Sequence, residues 1–102
     1  MTDSAYQVIL TKAAYKDLAK LRQWSSVIEE QLRRLELEPL QGEALRGSLD
    51  GVRVLHFRIR GSGEARIAYL VHPDNAVCLV IAIRPRENFY DILERRIASF
   101  DE

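Results

Sequence analysis

The chain has 102 residues, of which 47% are hydrophobic and 29% are charged. At about 150 residues per domain, this length predicts one domain spanning residues 1–102, and the ordinary composition argues against a disordered tail. The longest apolar run, residues 76–83, is far shorter than the ~18 residues of a membrane span, and the N-terminus lacks a secretory signal pattern. We therefore expect a cytoplasmic protein with no membrane partner.

Charge and cysteine content narrow the possible functions. Fifteen basic side chains balance fifteen acidic ones, so bulk charge does not indicate a nucleic-acid partner. Cys78 is the only cysteine, which excludes an internal disulfide and a zinc site built on four thiolates. The two histidines do not cluster with it in the sequence, and we expect no metal and no other cofactor.

The first forty residues predict a strand and a helical hairpin. Residues 6–10 form a β-rich run, and Thr11 directly after it is suited to cap a helix. Ser26–Glu29 matches a capping box and predicts the start of a second helix, which ends before Pro39. Apolar residues at helical spacing predict the buried stripes of the two helices, at Ala14, Leu18 and Leu21 and at Ile28, Leu32 and Leu35.

The remaining residues predict a loop, three strands and a closing helix. Residues 40–51 contain three glycines and predict the loop. Short turns separate three apolar runs, Val52–Arg60, Ala65–His72 and Val77–Arg84, which predicts an antiparallel meander. Tyr90, Leu93, Ile97 and Phe100 recur at helical spacing. The fold class is therefore α+β: an N-terminal strand and helical hairpin packed on an antiparallel meander, about four strands in the sheet, and a C-terminal helix.

Alternation along the first two meander strands separates an apolar face from a basic one. The apolar face carries Leu55, Phe57 and Ile59, and the other carries His56, Arg58 and Arg60. Arg66 lies on the polar face of the next strand, and Arg84 and Arg86 follow at the end of the third. If the apolar face covers the helical hairpin, the basic side chains gather on an open face. They either converge on one concave surface or form the solvated side of a half-buried sheet.

Four segments, in this order, carry a resemblance to a known family. They are Ala13–Leu18, Leu45–Gly47, Gly63–Tyr69 and Arg86–Tyr90. Together with the element order, they resemble the RelE/ParE superfamily of bacterial toxins over nearly the whole chain. The resemblance implies a small toxin of a type II toxin–antitoxin system, with a cognate antitoxin as partner.

Within this superfamily the resemblance implies two different activities. RelE-like members cleave messenger RNA in the ribosomal A site, whereas ParE-like members poison DNA gyrase and lack the catalytic side chains. RelE-like members carry arginines at the positions of Arg66 and Arg86, a tyrosine at that of Tyr90, and basic residues on the first meander strand, where this chain has Arg53, His56 and Arg58. The match favours a ribosome-dependent endoribonuclease. The alternatives are a gyrase inhibitor without catalytic activity and an inactive antitoxin-binding module.

RNA cleavage requires few protein groups, because the ribose 2′-hydroxyl is the nucleophile. The enzyme supplies a base, an acid and cations at the phosphate. Arg66 and Arg86 are the candidates to hold the phosphate, and His56 is the candidate base because free imidazole titrates near ~6.5. Tyr90 is the candidate acid or a surface on which a base stacks; the alternative is that it belongs to the core stripe of the closing helix.

The resemblance also assigns two residues to binding. Arg53 and Arg58 are candidate RNA contacts on the first meander strand. His56, between them, has a simpler alternative as a surface histidine on a strand.

Overall fold

The computed structural model of the chain describes residues 5–61, 63–85 and 87–100. In chain order the elements are β1 (Gln7–Leu10), α1 (Lys12–Lys20), α2 (Ser25–Leu37), β2 (Glu43–Ala44), β3 (Val52–Ile59), β4 (Gly63–His72), β5 (Val77–Pro85) and α3 (Phe89–Phe100). Short 3-10 turns occupy Arg22–Trp24 and Gly47–Leu49. The predicted α+β fold class and the C-terminal helix are confirmed.

The strands form one five-stranded sheet in the order β1-β5-β4-β3-β2. β1 runs parallel to β5, and the other neighbours are antiparallel, so the predicted meander is confirmed. The sheet has one strand more than predicted, because Glu43–Ala44 pairs with the start of β3 inside the predicted loop. A two-residue strand carries no alternation that a sequence pattern can detect.

The two N-terminal helices begin in different ways. The side chain of Thr11 accepts a hydrogen bond of 3.1 Å from the backbone N–H of Ala14, which confirms the predicted cap of α1. The predicted capping box at Ser26 is wrong. α2 already begins at Ser25, whose backbone N–H donates to the carbonyl of Arg22 in the preceding 3-10 turn. Because the backbone is helical before Ser26, that serine is not the capping residue.

Helices cover both faces of the sheet. On one face α1 and α2 bury a cluster that includes Ala14, Ile28, Leu35, Leu55, Phe57, Ile67, Tyr69 and Val80. On the other face α3 buries a smaller cluster that includes Leu49, Val52, Val54, Ala68, Ile81, Phe89 and Leu93. The prediction that the second face is open is therefore wrong in part, because α3 folds back over it. Within the described residues, no helix is long and apolar enough to cross a bilayer.

Candidate functional site

Three basic side chains form a row across the face that α3 covers in part. The strand register places His56 on β3 opposite Arg66 on β4, and Arg66 opposite Arg84 on β5. Arg58 lies two residues beyond His56 on the same face and is exposed. The alternation of side chains along a strand produces this arrangement. The structure thus brings His56, Arg58 and Arg66 together, as the sequence predicted.

The start of α3 lies directly over Arg66. β5 ends at Pro85, opposite Ala65 on β4, and Asn88 adopts a left-handed φ of 56° just before the helix begins. The chain therefore turns back above the strand that carries Arg66. The Cζ atom of Arg66 is 5.2 Å from the ring centroid of Tyr90 and 5.8 Å from that of Phe89, within the range of a cation–π contact.

Tyr90 is at the solvent boundary and not in the core. Its exposed fraction is 38%, whereas Phe89 is 1% and Leu93 0% exposed. The buried stripe of α3 therefore begins at Phe89, and the alternative that Tyr90 belongs to that stripe is wrong. The rings of Phe89 and Tyr90 meet edge to face with centroids 5.3 Å apart, so the buried ring supports the exposed one beside Arg66.

The Arg66 guanidinium has few protein partners. Its Nη2 lies 3.7 Å from Oε1 of Glu64, a distance too long for a hydrogen bond. Its Nε is buried and has no acceptor within residues 5–61, 63–85 and 87–100. A guanidinium carries five N–H donors in a planar fork that matches phosphate. The Arg66 side chain is 14% exposed, and the N–H donors at that exposed part are left for an anionic ligand.

His56 lies between two glutamates. Its Nδ1 is 2.9 Å from Oε2 of Glu64, and its Nε2 is 3.4 Å from Oε1 of Glu43. An open groove of about 480 Å³ borders this group and is lined by His56, Phe57, Arg58, Gly63 and Glu64. Glu64 is not among the site residues that the sequence predicts; the available signal was its position two residues before Arg66 on the same face of the hairpin.

Arg84, the third member of the row, is held by a buried carboxylate. Asp17 of α1 is 4% exposed, and its Oδ1 lies 3.3 Å from Nη1 of Arg84. The same carboxylate accepts hydrogen bonds of 2.7 and 3.1 Å from Arg96 of α3 and one of 3.0 Å from the backbone N–H of Ile83. Arg84 is therefore bound to a buried carboxylate, whereas Arg66 is not, although the Nε atoms of both arginines are buried without an acceptor among the described residues.

Arg53 lies on the opposite face of the sheet, with Leu55 and Phe57. Its Nη1 donates to the backbone carbonyls of Leu40 at 3.0 Å and Gly42 at 2.7 Å. The structure therefore does not bring Arg53 together with the other candidate residues. Arg86 lies outside the described residues, and its role at the phosphate stays a prediction.

Among the residues that the structure describes, the remaining reactive groups do not form a second centre. Burial raises the pKa of the Cys78 thiol to about 11, so the thiol stays protonated at neutral pH and is a poor nucleophile. Burial also raises the pKa of Tyr69. Across the described part of the chain, no three His, Cys, Asp or Glu side chains are grouped so that they could hold a metal ion.

Comparisons with known proteins place these features in context. A family model described as the ParE-like toxin of type II bacterial toxin–antitoxin systems matches residues 7–94. The fold is similar to the RelBE2 toxin–antitoxin complex of Mycobacterium tuberculosis, with a TM-score of 0.65 and 28% identity over 80% of this chain and 99% of that one. A double arginine-to-alanine mutant of Escherichia coli RelE in the free state gives a TM-score of 0.68 and 25% identity over 88% and 93% of the two chains. The intact E. coli RelBE complex gives a TM-score of 0.65 and 25% identity over 81% of this chain and 99% of that one. Comparison with curated protein sequences gives no match.

Proposed function

The chain belongs to the ParE-like family of toxins of type II bacterial toxin–antitoxin systems, and from this premise we propose that it is an endoribonuclease that cleaves messenger RNA on the ribosome. The observation that carries the proposal is the position of Arg66. Its guanidinium lies beside the exposed ring of Tyr90, opposite His56 in the sheet, and has donors to offer. The adjacent groove is lined by His56 and Arg58, so a phosphodiester bound there would meet an imidazole and a cation, with Arg66 opposite His56 in the sheet and Tyr90 beside Arg66.

In this proposal the RNA supplies the nucleophile. The 2′ oxygen forms a bond to the neighbouring phosphorus and the bond from phosphorus to the 5′ oxygen breaks, which leaves a 2′,3′-cyclic phosphate and a 5′-hydroxyl. His56 accepts the proton of the 2′-hydroxyl, and Tyr90 donates a proton to the 5′ oxygen. Arg66 stabilises the charge that grows on the phosphate oxygens, and Arg86 is proposed as the second cation.

Arg58 is proposed as an RNA contact, because it is exposed and lines the groove beside His56. Arg53 differs in that its guanidinium donates to two backbone carbonyls on the other face. Its proposed contribution is to hold the loop before β2.

Replacement of Arg66 tests the proposal directly. We expect Arg66→Ala to lower the rate of messenger RNA cleavage on ribosomes by roughly 10²–10³, the typical cost of one lost contact to transition-state charge. Arg33→Ala on the exposed surface of α2 is the matched control and should cleave as the wild type does. Far-UV circular dichroism of both variants checks that they are folded. Cleavage by Arg66→Ala at the wild-type rate would exclude this role.

Gyrase inhibition is the second candidate function, because the matching family model is the ParE-like one. The two functions leave different damage in cells that express the protein. Cuts inside translated codons, mapped as new messenger RNA ends, support the ribonuclease. Intact messages together with DNA breaks support the gyrase inhibitor.

A cognate antitoxin is the proposed protein partner, since two of the similar structures are toxin–antitoxin complexes. We expect an antitoxin segment with acidic and apolar side chains that covers the face of Arg58 and Arg66 or displaces α3. A segment bound there would block the groove. The test is whether the purified antitoxin stops cleavage and whether Arg58→Glu weakens its binding.

A further inference from the structure

The carboxylate of Glu64 lies between two of the proposed catalytic side chains. Glu64 and Arg66 are two residues apart on β4 and share a face, and Arg66 is directly opposite His56 on β3. Oε2 of Glu64 is 2.9 Å from Nδ1 of His56, and its Oε1 is 3.7 Å from Nη2 of Arg66. One carboxylate therefore contacts both side chains, with a different oxygen for each.

The contact with His56 determines which ring nitrogen carries the proton. An ionised carboxylate only accepts hydrogen bonds, so Nδ1 must be the donor. In the neutral imidazole the lone pair is then on Nε2, the nitrogen able to accept a proton. Nε2 faces Glu43 at 3.4 Å, but that side chain is 69% exposed and belongs to the two-residue strand β2. This longer, solvated contact is the one that a substrate can replace.

Glu64 also balances the charge of the site. Among the described residues, the charged groups on this face around the His56 ring are Arg58, Glu43, Glu64 and Arg66. Like charges directly opposite each other on neighbouring strands are destabilising, and His56 becomes a cation opposite Arg66 when it takes a proton. A carboxylate in contact with both cations offsets that repulsion.

We propose that Glu64 is a positioning residue for the cleavage reaction. It holds His56 with the proton on Nδ1, so that Nε2 receives the proton of the RNA 2′-hydroxyl. It also keeps the Arg66 guanidinium beside the Tyr90 ring. This inference rests on the ribonuclease function proposed above and assigns a residue that acts through its neighbours and does not touch the RNA.

The first test measures the tautomer and requires no RNA. In the ¹⁵N-labelled full chain at a pH where the ring is neutral, we expect the nitrogen shifts of His56 to show Nδ1–H. Glu64→Ala should move them towards the Nε2–H form, whereas the ring should keep its Nδ1–H form in the matched control Glu43→Ala. His72→Gln removes the only other histidine and assigns the signals. An Nε2–H ring in the wild type, or no change in Glu64→Ala, would overturn the proposal.

The second test measures cleavage in a single turnover on ribosomes. General base catalysis contributes a factor of about 10²–10⁴ to the rate. Because Glu64→Ala keeps the base but loses its positioning, we expect the cleavage rate to fall by a part of that factor, roughly 10- to 100-fold. Binding of the ribosome–messenger RNA complex should change less than about twofold, and Glu30→Ala on the exposed surface of α2 should keep the wild-type rate. Because the side chain of Glu64 is 36% exposed, its replacement by alanine should not prevent folding.

A double variant distinguishes positioning from a separate role. If Glu64 acts through His56, then His56→Ala with Glu64→Ala should cleave about as fast as His56→Ala alone, because residues that act as a unit are not additive. Independent, multiplied losses would contradict the proposal. If the wild type leaves messenger RNA intact, the ribonuclease function fails, while the tautomer measurement still decides whether Glu64 orients the ring.

Discussion

Tyr69 and Gly42 fix the loop before β2 by direct contact. The hydroxyl oxygen of Tyr69 accepts a hydrogen bond of 2.9 Å from the backbone N–H of Gly42. A Cβ atom on Gly42 would lie 2.6 Å from that oxygen and 3.0 Å from the carbonyl oxygen of Val54. Since Tyr69 is fully buried, neither neighbour has free space into which it can move. Position 42 therefore requires glycine for reasons of space.

Substitution at this contact should lower the free energy of unfolding. We expect Gly42→Ala to cost about 1–3 kcal/mol through overpacking, and Tyr69→Phe about 1–3 kcal/mol because the buried N–H loses its acceptor. The double variant should cost less than the sum, since removal of the hydroxyl also removes the closest atom to the new methyl group. Urea unfolding measures all three, with Gln41→Ala as an exposed control. Strictly additive costs would show that the two residues are not coupled.

Individual arginines show how far the sequence predicts the site. Strand alternation correctly placed His56, Arg58 and Arg66 on one face, because side-chain direction follows from the period of the strand. It did not predict which guanidinium is already occupied. Arg84 shares the row but is bound to Asp17, and Arg53 donates to two carbonyls of a loop. Such partners are distant in the chain, and no local pattern reveals them.

At the scale of elements, one carboxylate connects α1, β5 and α3. β1 pairs with β5 only as far as Val80, which leaves the backbone N–H of Ile83 at an open strand edge. Asp17 accepts a hydrogen bond from that N–H, and Arg96 reaches it from α3 while also donating to the carbonyl of Ile81 at 3.0 Å. The edge of the sheet is thereby closed, and α3 is tied down beyond its apolar stripe.

Loss of Arg96 should loosen this connection. Removal of one partner of a buried ion pair typically costs 3–5 kcal/mol, and because Arg84 still faces the carboxylate we expect the lower end, about 3 kcal/mol, for Arg96→Ala. Arg95→Ala, the exposed neighbour on the same helix, should stay within about 0.5 kcal/mol of the wild type. Urea unfolding compares the two. Equal stabilities would mean that the apolar contacts of α3 alone hold the helix.

The elements themselves were predicted to different degrees. The meander, both N-terminal helices and the Thr11 cap follow from patterns a few residues long, so the sequence predicts them. The strand β2, the buried role of Asp17 and the displacement of Tyr90 from the core stripe depend on pairing between distant segments. Asp17 lies among lysines on an amphipathic helix, and its partner Arg96 is 79 residues away. Only the folded chain brings the two together.

At the scale of the whole molecule, the distribution of charge matters more than its sum. The formal net charge is zero, so the protein has no net charge to attract an anionic partner over long distances. Glu43 and Glu64 also offset the local positive charge beside His56 and Arg66, so binding must come from direct phosphate contacts of Arg58 and Arg66, which act within about a Debye length, ~8 Å at physiological salt. We therefore expect association with RNA to depend on these few side chains.

Salt dependence of binding tests this expectation. Each phosphate contact to single-stranded nucleic acid contributes about −0.7 to the slope of log affinity against log salt, so two or three contacts predict a slope of roughly −1.4 to −2.1. The ligand is a ribosome programmed with messenger RNA that carries a 2′-deoxyribose at the mapped cleavage site, which removes the nucleophile. Arg58→Ala should weaken binding and reduce the steepness of the slope by about 0.7, whereas Arg33→Ala on α2 should leave it unchanged. An affinity that does not change with salt concentration, or a slope that Arg58→Ala does not alter, would exclude phosphate binding by the sheet face that carries Arg58 and Arg66.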